Sequence, residues 1–260
     1  MKETRILMGM PVSVELADST ATSDDVNAVY AYFTYVDETF STYKETSEIS
    51  KINRGELKVE EASIDMREVF TLSEKTKKET KGFFDIQKPD GSYDPSGLVK
   101  GWAIFNAAKL LKDQGLKNFY IDAGGDIEAV GRNDEGKLWT VGIQDPFSKA
   151  PQVVKVLAVT GVGVATSGNY IRGEHIYNPH KNMKEEGGKK KEDGNKSEIV
   201  SLTVIGPNIY EADRFATAAF AMGRSGIQFI ESLHGFEGYM IDNKGIATMT
   251  SNFNNYVQHA

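Results

Sequence analysis

Residues 118–131 read Asn-Phe-Tyr-Ile-Asp-Ala-Gly-Gly-Asp-Ile-Glu-Ala-Val-Gly, and this stretch decides the fold class. Two short apolar runs flank a Gly-Gly pair, which is a common connection between two antiparallel strands. Similar strand-like runs follow at residues 138–144, 153–159 and 163–166, with Gly and Asp between several of them. This order favours hairpins over βαβ units. Together with the helices on either side, it predicts an α+β fold with a mixed or mostly antiparallel sheet.

The composition excludes several classes of protein. The 260 residues carry a formal net charge of −7, which disfavours nonspecific binding to nucleic acid. There are no cysteines, so disulfides, thiolate nucleophiles and zinc-thiolate sites are excluded. No apolar run approaches the roughly 20 residues that a transmembrane helix needs. We expect a single domain over residues 1–260 without a transmembrane segment.

Periodicity and capping signals predict the helices and the remaining strands. One strand is expected over residues 5–16, and the main helices over residues 22–40, 65–80 and 96–115. Asp65 and Ser96 are the expected caps of the second and third of these helices. A strand near residues 199–205, the helix that carries Asp213, a helix over residues 226–233 and two short strands complete the chain.

Residues 181–196 are polar, charged and rich in glycine, which predicts a mobile surface insertion. The simplest interpretation is a solvated loop. The alternative is a lid or docking surface, because the segment directly follows His175 and Pro179.

Asp213 and Thr217 are the most informative pair of polar residues. Their spacing of four places a carboxylate and a hydroxyl on one face of a helix, and both groups suit a hard cation such as Mg²⁺. The alternative is an ordinary helix start near solvent, with Asp213 stabilised by the helix dipole.

The segment Asp94-Pro-Ser-Gly-Leu-Val-Lys-Gly101 joins a loop to a helix start, where backbone N–H groups favour phosphate. Lys100 adds a positive charge, and Gly97 allows close approach of the backbone. The alternative is a Ser-capped helix with an exposed lysine. The glycine and lysine spacing excludes a Walker A loop.

Three further stretches carry groups that could contact a ligand. Gly82-Phe-Phe-Asp85 offers two aromatic rings and a carboxylate to a flat ring system, although a strand with one buried Phe is an equally good interpretation. Thr166 and Ser167 supply hydroxyls. His175 is one of four histidines, and a neutral imidazole could remove a hydroxyl proton, although a lone histidine is usually structural or exposed.

Taken in order, these stretches resemble the ApbE family of Mg²⁺-dependent FAD:protein FMN transferases, and the resemblance covers nearly the whole chain. The matching pieces are Met8-Gly-Met-Pro11, Phe40-Ser-Thr-Tyr43, Ser47-Glu-Ile-Ser50, Gly82-Phe-Phe-Asp85, Asp94 through Gly101, Asp122-Ala-Gly-Gly-Asp126, Ala165-Thr-Ser-Gly168, His175-Ile-Tyr-Asn-Pro179, Ala212-Asp-Arg-Phe-Ala-Thr217 and Met222-Gly223. Met10 and Asn178 depart from the family, which usually has Thr and Asp there.

The resemblance implies an ApbE-like, T-fold-related architecture and an enzyme that uses FAD as substrate. It would transfer the FMN part of FAD to a Thr or Ser hydroxyl of an acceptor flavoprotein and release AMP. By the same resemblance, Asp213, Thr217 and Gly97 bind Mg²⁺, His175 is the general base, and Lys100 both binds FAD and assists catalysis. The other implied FAD contacts are Met8, Tyr43, Phe83, Phe84, Asp85, Asp94, Thr166, Ser167 and Ile176.

Two other functions remain open for the same site. One is an FAD pyrophosphatase that releases FMN and AMP to water, and the other is an FAD-binding protein without turnover. The lipoprotein leader common in the family is not found in the sequence. We therefore expect a cytoplasmic protein, or an extracytoplasmic one whose leader has been removed.

Overall fold

The computed structural model describes residues 1–148, 150, 152–168 and 199–258. The helices in these ranges are α1 (Ser23–Phe40), α2 (Glu48–Asn53), α3 (Ile64–Glu79), α4 (Ser96–Asp113), α5 (Ile209–Ala221) and α6 (Gly226–Glu231). The strands are β1 (Lys2–Leu7), β2 (Met10–Leu16), β3 (Phe119–Ala123), β4 (Asp126–Val130), β5 (Trp139–Gln144), β6 (Val153–Val159), β7 (Val162–Gly168), β8 (Ile199–Gly206), β9 (Glu237–Asp242) and β10 (Ala247–Met249).

Eight of these strands form one sheet in the order β1-β2-β3-β4-β7-β8-β9-β10. The hairpin of β5 and β6 leaves this sheet, so that β4 pairs directly with β7. Every pairing among the described strands is antiparallel. The predicted α+β fold with a largely antiparallel sheet is therefore confirmed.

Alternating side chains give the large sheet two buried faces. One face packs against α1, α4 and α5, where Ala165 and Val204 join the main apolar cluster. The neighbouring residues Val164 and Ile205 point the other way, into a smaller cluster built with the β5–β6 hairpin. The helical face is the one that carries the candidate site.

Two tight turns lie side by side at one end of the sheet. Met8 and Gly9 connect β1 to β2 with φ angles of 52° and 71°, which is the left-handed geometry of a two-residue hairpin. Gly124 and Gly125 connect β3 to β4 in the same way, and Gly124 N–H donates to the Pro11 carbonyl at 3.0 Å. The single strand expected over residues 5–16 is therefore wrong, because the turn at Met8 divides it into β1 and β2.

Side-chain caps set the starts of α1 and α3, and sequence reasoning located only the first of them. Thr22 forms a capping box with Asp25 at the start of α1, as the predicted boundary requires. The predicted cap of α3 at Asp65 is wrong, because Ser63 accepts the backbone N–H of Met66 instead. Ser96 is the first residue of α4 rather than its cap.

The structure does not test two of the expectations. The charged segment 181–196 falls outside the described residues, and the single-domain organisation stays a prediction. Among the residues that are described, no helix is both long enough and apolar enough to cross a bilayer.

Candidate active site

Contacts at its first residue fix α5 against the sheet. The Ile209 N–H donates to Glu128 Oε2 on β4 at 2.8 Å, and the Asn208 side chain caps the helix by accepting from Glu211 N–H at 3.0 Å. A Cβ at Gly163 would lie only 2.1 Å from the Ile209 nitrogen, so only glycine lets β7 pass this close. Helix α5 therefore starts over the middle of β4.

From this start, α5 runs along the sheet and brings Asp213 to α4. The Asp213 Oδ2 atom accepts the backbone N–H of Gly101 at 2.8 Å. A Cβ on Gly101 would lie 2.6 Å from the Asp213 Cβ and 2.8 Å from the Ile209 carbonyl oxygen, so the glycine is required for this close approach. Asp213 is the fifth residue of α5 and is 3% exposed, so the alternative of a solvent-exposed helix start is wrong.

Thr217, one turn after Asp213 in α5, contacts Gly97, one turn before Gly101 in α4. The Thr217 hydroxyl donates to the Gly97 carbonyl oxygen at 3.3 Å, across 120 residues of sequence. That carbonyl points along α4 toward the Gly101 N–H, as helix geometry requires, and the same N–H also bonds to Asp213. A hydroxyl, a carbonyl and a carboxylate therefore converge at the α4–α5 junction.

Two further charged groups lie beside this junction. Lys100 forms a buried ion pair with Asp126, in which the lysine side chain is 11% exposed and the aspartate side chain 1%. The other oxygen of Asp126 accepts the Thr166 backbone N–H at 3.1 Å. The alternative interpretation, in which Lys100 is exposed, is therefore wrong.

The electrostatics of this cluster are dominated by burial. Burial raises the pKa of Asp213 to about 8, and the nearby Asp126 carboxyl adds to the rise, while Lys100 and the Gly101 N–H oppose it. Burial also raises the pKa of Asp122, which accepts the Gly125 N–H in the adjacent turn. Among the described residues, Lys100 is the ammonium that acts on both Asp126 and Asp213, so these three groups carry one excess negative charge when all are ionised.

The residues at the junction fit a hard divalent cation. Carboxylate, hydroxyl and carbonyl oxygens are the donors that Mg²⁺ takes, and the excess negative charge at Asp126 and Asp213 would be neutralised by a cation. Among the described residues, no group of three or more His, Asp and Glu side chains could hold a metal. A cation here would therefore need Thr217 and the Gly97 carbonyl in addition to Asp213.

The aromatic and acidic residues before α4 are placed by local contacts. A Cβ at Gly97 would lie 3.4 Å from the Phe84 ring, so Phe84 borders the junction and is itself buried. Phe83 is half-buried next to it. Asp85 pairs with Lys77 at 2.7 Å, and Asp94 accepts the Ser96 N–H at 3.1 Å at the start of α4. No strand forms over residues 82–85, so that alternative is wrong.

The other predicted FAD contacts are spread over several elements. Met8 is half-buried in the turn beside Gly124, whereas the Tyr43 side chain is 97% exposed in the loop after α1. Thr166 turns its hydroxyl toward Thr203 at 2.8 Å, on the face away from α5, and contributes only its backbone N–H to Asp126. Ser167 lies on the helical face and is buried.

His175 and Ile176 fall outside the described residues, so their predicted roles stay predictions. Asp126 belongs to a stretch that matches the family, but sequence reasoning did not predict it as a site residue. Its signal was available, since a carboxylate directly follows the Gly-Gly pair at the start of a strand. Such a residue also suits an ordinary turn, and only the packing of β4 against α4 brings it to Lys100.

The fold and the site together describe an α+β protein in which two packed helices present oxygen donors at the end of an antiparallel sheet. The chain belongs to the ApbE family, because a sequence model of that family matches residues 8–89 and 87–240.

Among related proteins, the FAD:protein FMN transferase of Escherichia coli (strain K12) is 31% identical over 165 residues, covering 60% of this chain and 44% of the relative. The FAD:protein FMN transferase of Klebsiella pneumoniae (strain 342) is 30% identical over 171 residues, covering 63% and 46%. The matched segment therefore spans less than half of each relative.

Two solved structures share the fold over nearly their whole length. The flavin transferase ApbE from Vibrio cholerae superimposes with a TM-score of 0.81 at 21% identity, covering 98% of both chains. The ApbE protein from Thermotoga maritima gives a TM-score of 0.83 at 17% identity, covering 100% of this chain and 99% of the other. At these identities, the likeness establishes the architecture.

Proposed function

We propose that the protein transfers the FMN part of FAD to a Thr or Ser hydroxyl of an acceptor flavoprotein, with release of AMP and dependence on Mg²⁺. The observation that carries the proposal is the convergence of Asp213, Thr217, the Gly97 carbonyl and Lys100 at one helix junction. The printed activity of the E. coli and K. pneumoniae relatives supports it.

The reaction exchanges the phosphoanhydride bond of FAD for a phosphoester bond to the acceptor. The acceptor hydroxyl oxygen forms a bond to the phosphorus that carries the riboflavin, and the bond from that phosphorus to the bridging oxygen breaks. The bridging oxygen leaves on AMP with the electron pair, and the hydroxyl proton passes to a base. Because AMP is a good leaving group, positioning and charge neutralisation account for most of the rate.

The described residues supply positioning and charge. Asp213, Thr217 and the Gly97 carbonyl would hold Mg²⁺, which when bound neutralises and orients the two phosphates of FAD. Lys100 sits one residue before the Gly101 contact, so its ammonium is at the same junction and can bind a phosphate oxygen. Phe84 closes the side of the junction next to Gly97 and limits access of water.

The remaining roles rest on the family resemblance. His175 would take the proton of the acceptor hydroxyl. The flavin and adenosine parts of FAD would contact residues from several loops and strand ends, namely Met8, Tyr43, Phe83, Asp85, Asp94, Thr166, Ser167 and Ile176.

An acceptor assay tests the proposal. The protein is incubated with FAD, Mg²⁺ and an acceptor flavoprotein, and covalent flavin is detected by in-gel fluorescence and intact mass. We expect the acceptor to gain one FMN and the solution an equal amount of AMP. Chelation with EDTA should stop the reaction and Mg²⁺ should restore it.

Three results would contradict the proposal in different ways. Free FMN and AMP formed at the same rate with or without acceptor would identify a pyrophosphatase. Tight retention of FAD without AMP would identify a binding protein. An unchanged transfer rate in His175→Ala would remove the base role of His175 while leaving the transferase activity in place.

A further inference from the structure

We propose that Asp126 is a positioning residue that holds the Lys100 ammonium at the α4–α5 junction. This inference rests on the proposed function, because it assigns Asp126 a role in orienting a group that would bind the phosphates of FAD.

The backbone of the sheet fixes Asp126 itself. It is the first residue of β4, directly after the Gly124–Gly125 turn, and its side chain is 1% exposed. Its Oδ1 atom accepts the Thr166 N–H of β7 at 3.1 Å. This bond orients the carboxylate from the neighbouring strand and directs Oδ2 toward α4.

The Oδ2 atom of Asp126 then pairs with the Lys100 ammonium. A lysine ammonium is a mobile point charge on a flexible four-carbon stem, so it binds a phosphate efficiently only when its conformational freedom is restricted. Asp126 provides that restriction from a rigid strand, while Asp213 lies on the facing helix. The three side chains come from β4, α4 and α5, so the ammonium is held where these elements meet.

A purely structural role would look different. Asp126 would then only neutralise the buried lysine, and removing its charge would lower the free energy of unfolding while leaving kcat close to the wild-type value. The positioning role predicts instead that loss of Asp126 does harm only while Lys100 is present. A double-mutant cycle separates the two roles.

The first measurement reports on Lys100 directly. In ¹⁵N-labelled protein, a buried and paired lysine ammonium exchanges its protons slowly and gives a resolvable NMR signal, and loss of that signal in Lys100→Met assigns it. We expect the signal to disappear in Asp126→Asn, which keeps an oxygen for Thr166 N–H. We expect it to persist in Glu128→Gln, which alters a buried carboxylate two residues further along β4.

The second measurement is FMN transfer at saturating Mg²⁺. We expect Asp126→Asn to lower kcat by about 10–100-fold, as loss of an orienting outer partner does in other sites, with little change in KM for FAD. Adding Asp126→Asn to Lys100→Met should cost little more.

Persistence of the Lys100 signal in Asp126→Asn would overturn the inference. So would additive losses of kcat in the double variant. Failure of the wild-type protein to transfer FMN would refute the proposed function alone. The NMR comparison of Asp126→Asn with Glu128→Gln would still decide whether Asp126 holds Lys100.

Discussion

Adjacent residues of α5, Asp213 and Arg214, are equally buried but lie in opposite electrostatic settings. Each side chain is 3% exposed. Arg214 pairs with Glu79 of α3 and Glu211 of its own helix, donates to Thr76 at 3.2 Å, and places its guanidinium 3.9 Å from the Phe215 ring centroid. These hydrogen bonds and the ring contact satisfy the guanidinium of Arg214. Its acidic partners, Glu79 and Glu211, remain partly exposed to water.

Asp213 has a different kind of neighbourhood. Its nearest charged groups are a second buried carboxylate, Asp126, and one ammonium, Lys100. Water cannot stabilise the extra negative charge here, whereas it can at Glu79 and Glu211. The comparison teaches that the arginine side of α5 has its charge compensated by partly hydrated partners, and that the aspartate side holds an excess of buried negative charge, which is the basis of the cation site we propose.

The largest expected effect comes from removing the charge of Asp213. In Asp213→Asn, FMN transfer should fall by about 10³-fold or more, because the cation would lose its only carboxylate ligand and its neutralising charge. Because burial raises the pKa of Asp213 to about 8, the melting temperature above pH 8 without Mg²⁺ should be unchanged or higher, since a buried charge without full compensation is then removed. Transfer assays and thermal unfolding of the same preparation measure both effects, and normal turnover would refute the metal assignment.

The matched change on the other side of α5 should act on stability. Arg214→Met removes the hydrogen bonds of the guanidinium and leaves the partly exposed carboxylates of Glu79 and Glu211 to water, so the free energy of unfolding should fall by about 1.5–3 kcal/mol. Urea unfolding measures this loss, and the folded fraction should still transfer FMN. If Arg214→Met were as stable as wild type but inactive, the structural role assigned to Arg214 would be wrong.

A smaller effect is expected where the two helices touch. Gly101→Ala places a methyl group against Asp213 and the Ile209 carbonyl, which should cost about 1–3 kcal/mol of stability and reduce transfer by moving α5 away from α4. Gly97→Ala is a milder substitution for comparison, because its added Cβ would lie 3.1 Å from its nearest neighbour, the methyl group of Thr217. Urea unfolding should rank Gly101→Ala as the less stable variant, and the reverse order would contradict this packing.

The smallest effect should come from the Thr217 hydroxyl. Thr217→Val keeps the shape and removes one oxygen ligand, so the Mg²⁺ concentration for half-maximal transfer should rise by about tenfold, equivalent to about 1.4 kcal/mol. Thr217→Ser restores the hydroxyl and should recover most of the affinity. An unchanged Mg²⁺ dependence in Thr217→Val would remove Thr217 from the ligand set.

The sequence predicts local features of this fold better than contacts between distant residues. The hairpin over residues 118–131 and the helices around Lys100 and Asp213 follow from turn residues and periodicity, and the structure contains them. The first turn was missed because Met8 adopts a left-handed φ that a methionine does not signal.

The candidate site was predictable only in part. The spacing of Asp213 and Thr217 predicts the pair of oxygen donors. Their burial depends on Gly101 and Gly163, which let α4 and β7 pack closely against α5. Thr166 was expected to face a ligand and instead bonds to Thr203. A strand presents alternate residues to opposite faces, and one sequence does not say which face of β7 covers the helices.

The contact between Gly97 and Thr217 has a consequence for how the protein is made. The two residues are 120 positions apart, and α5 emerges long after α4 during synthesis. A chain truncated before residue 209 contains the lysine and the glycine turn but lacks the helix that completes the junction. Partly synthesised chains that lack residues 209–221 therefore cannot assemble this centre, and flavin transfer would report only on molecules in which this helix has docked.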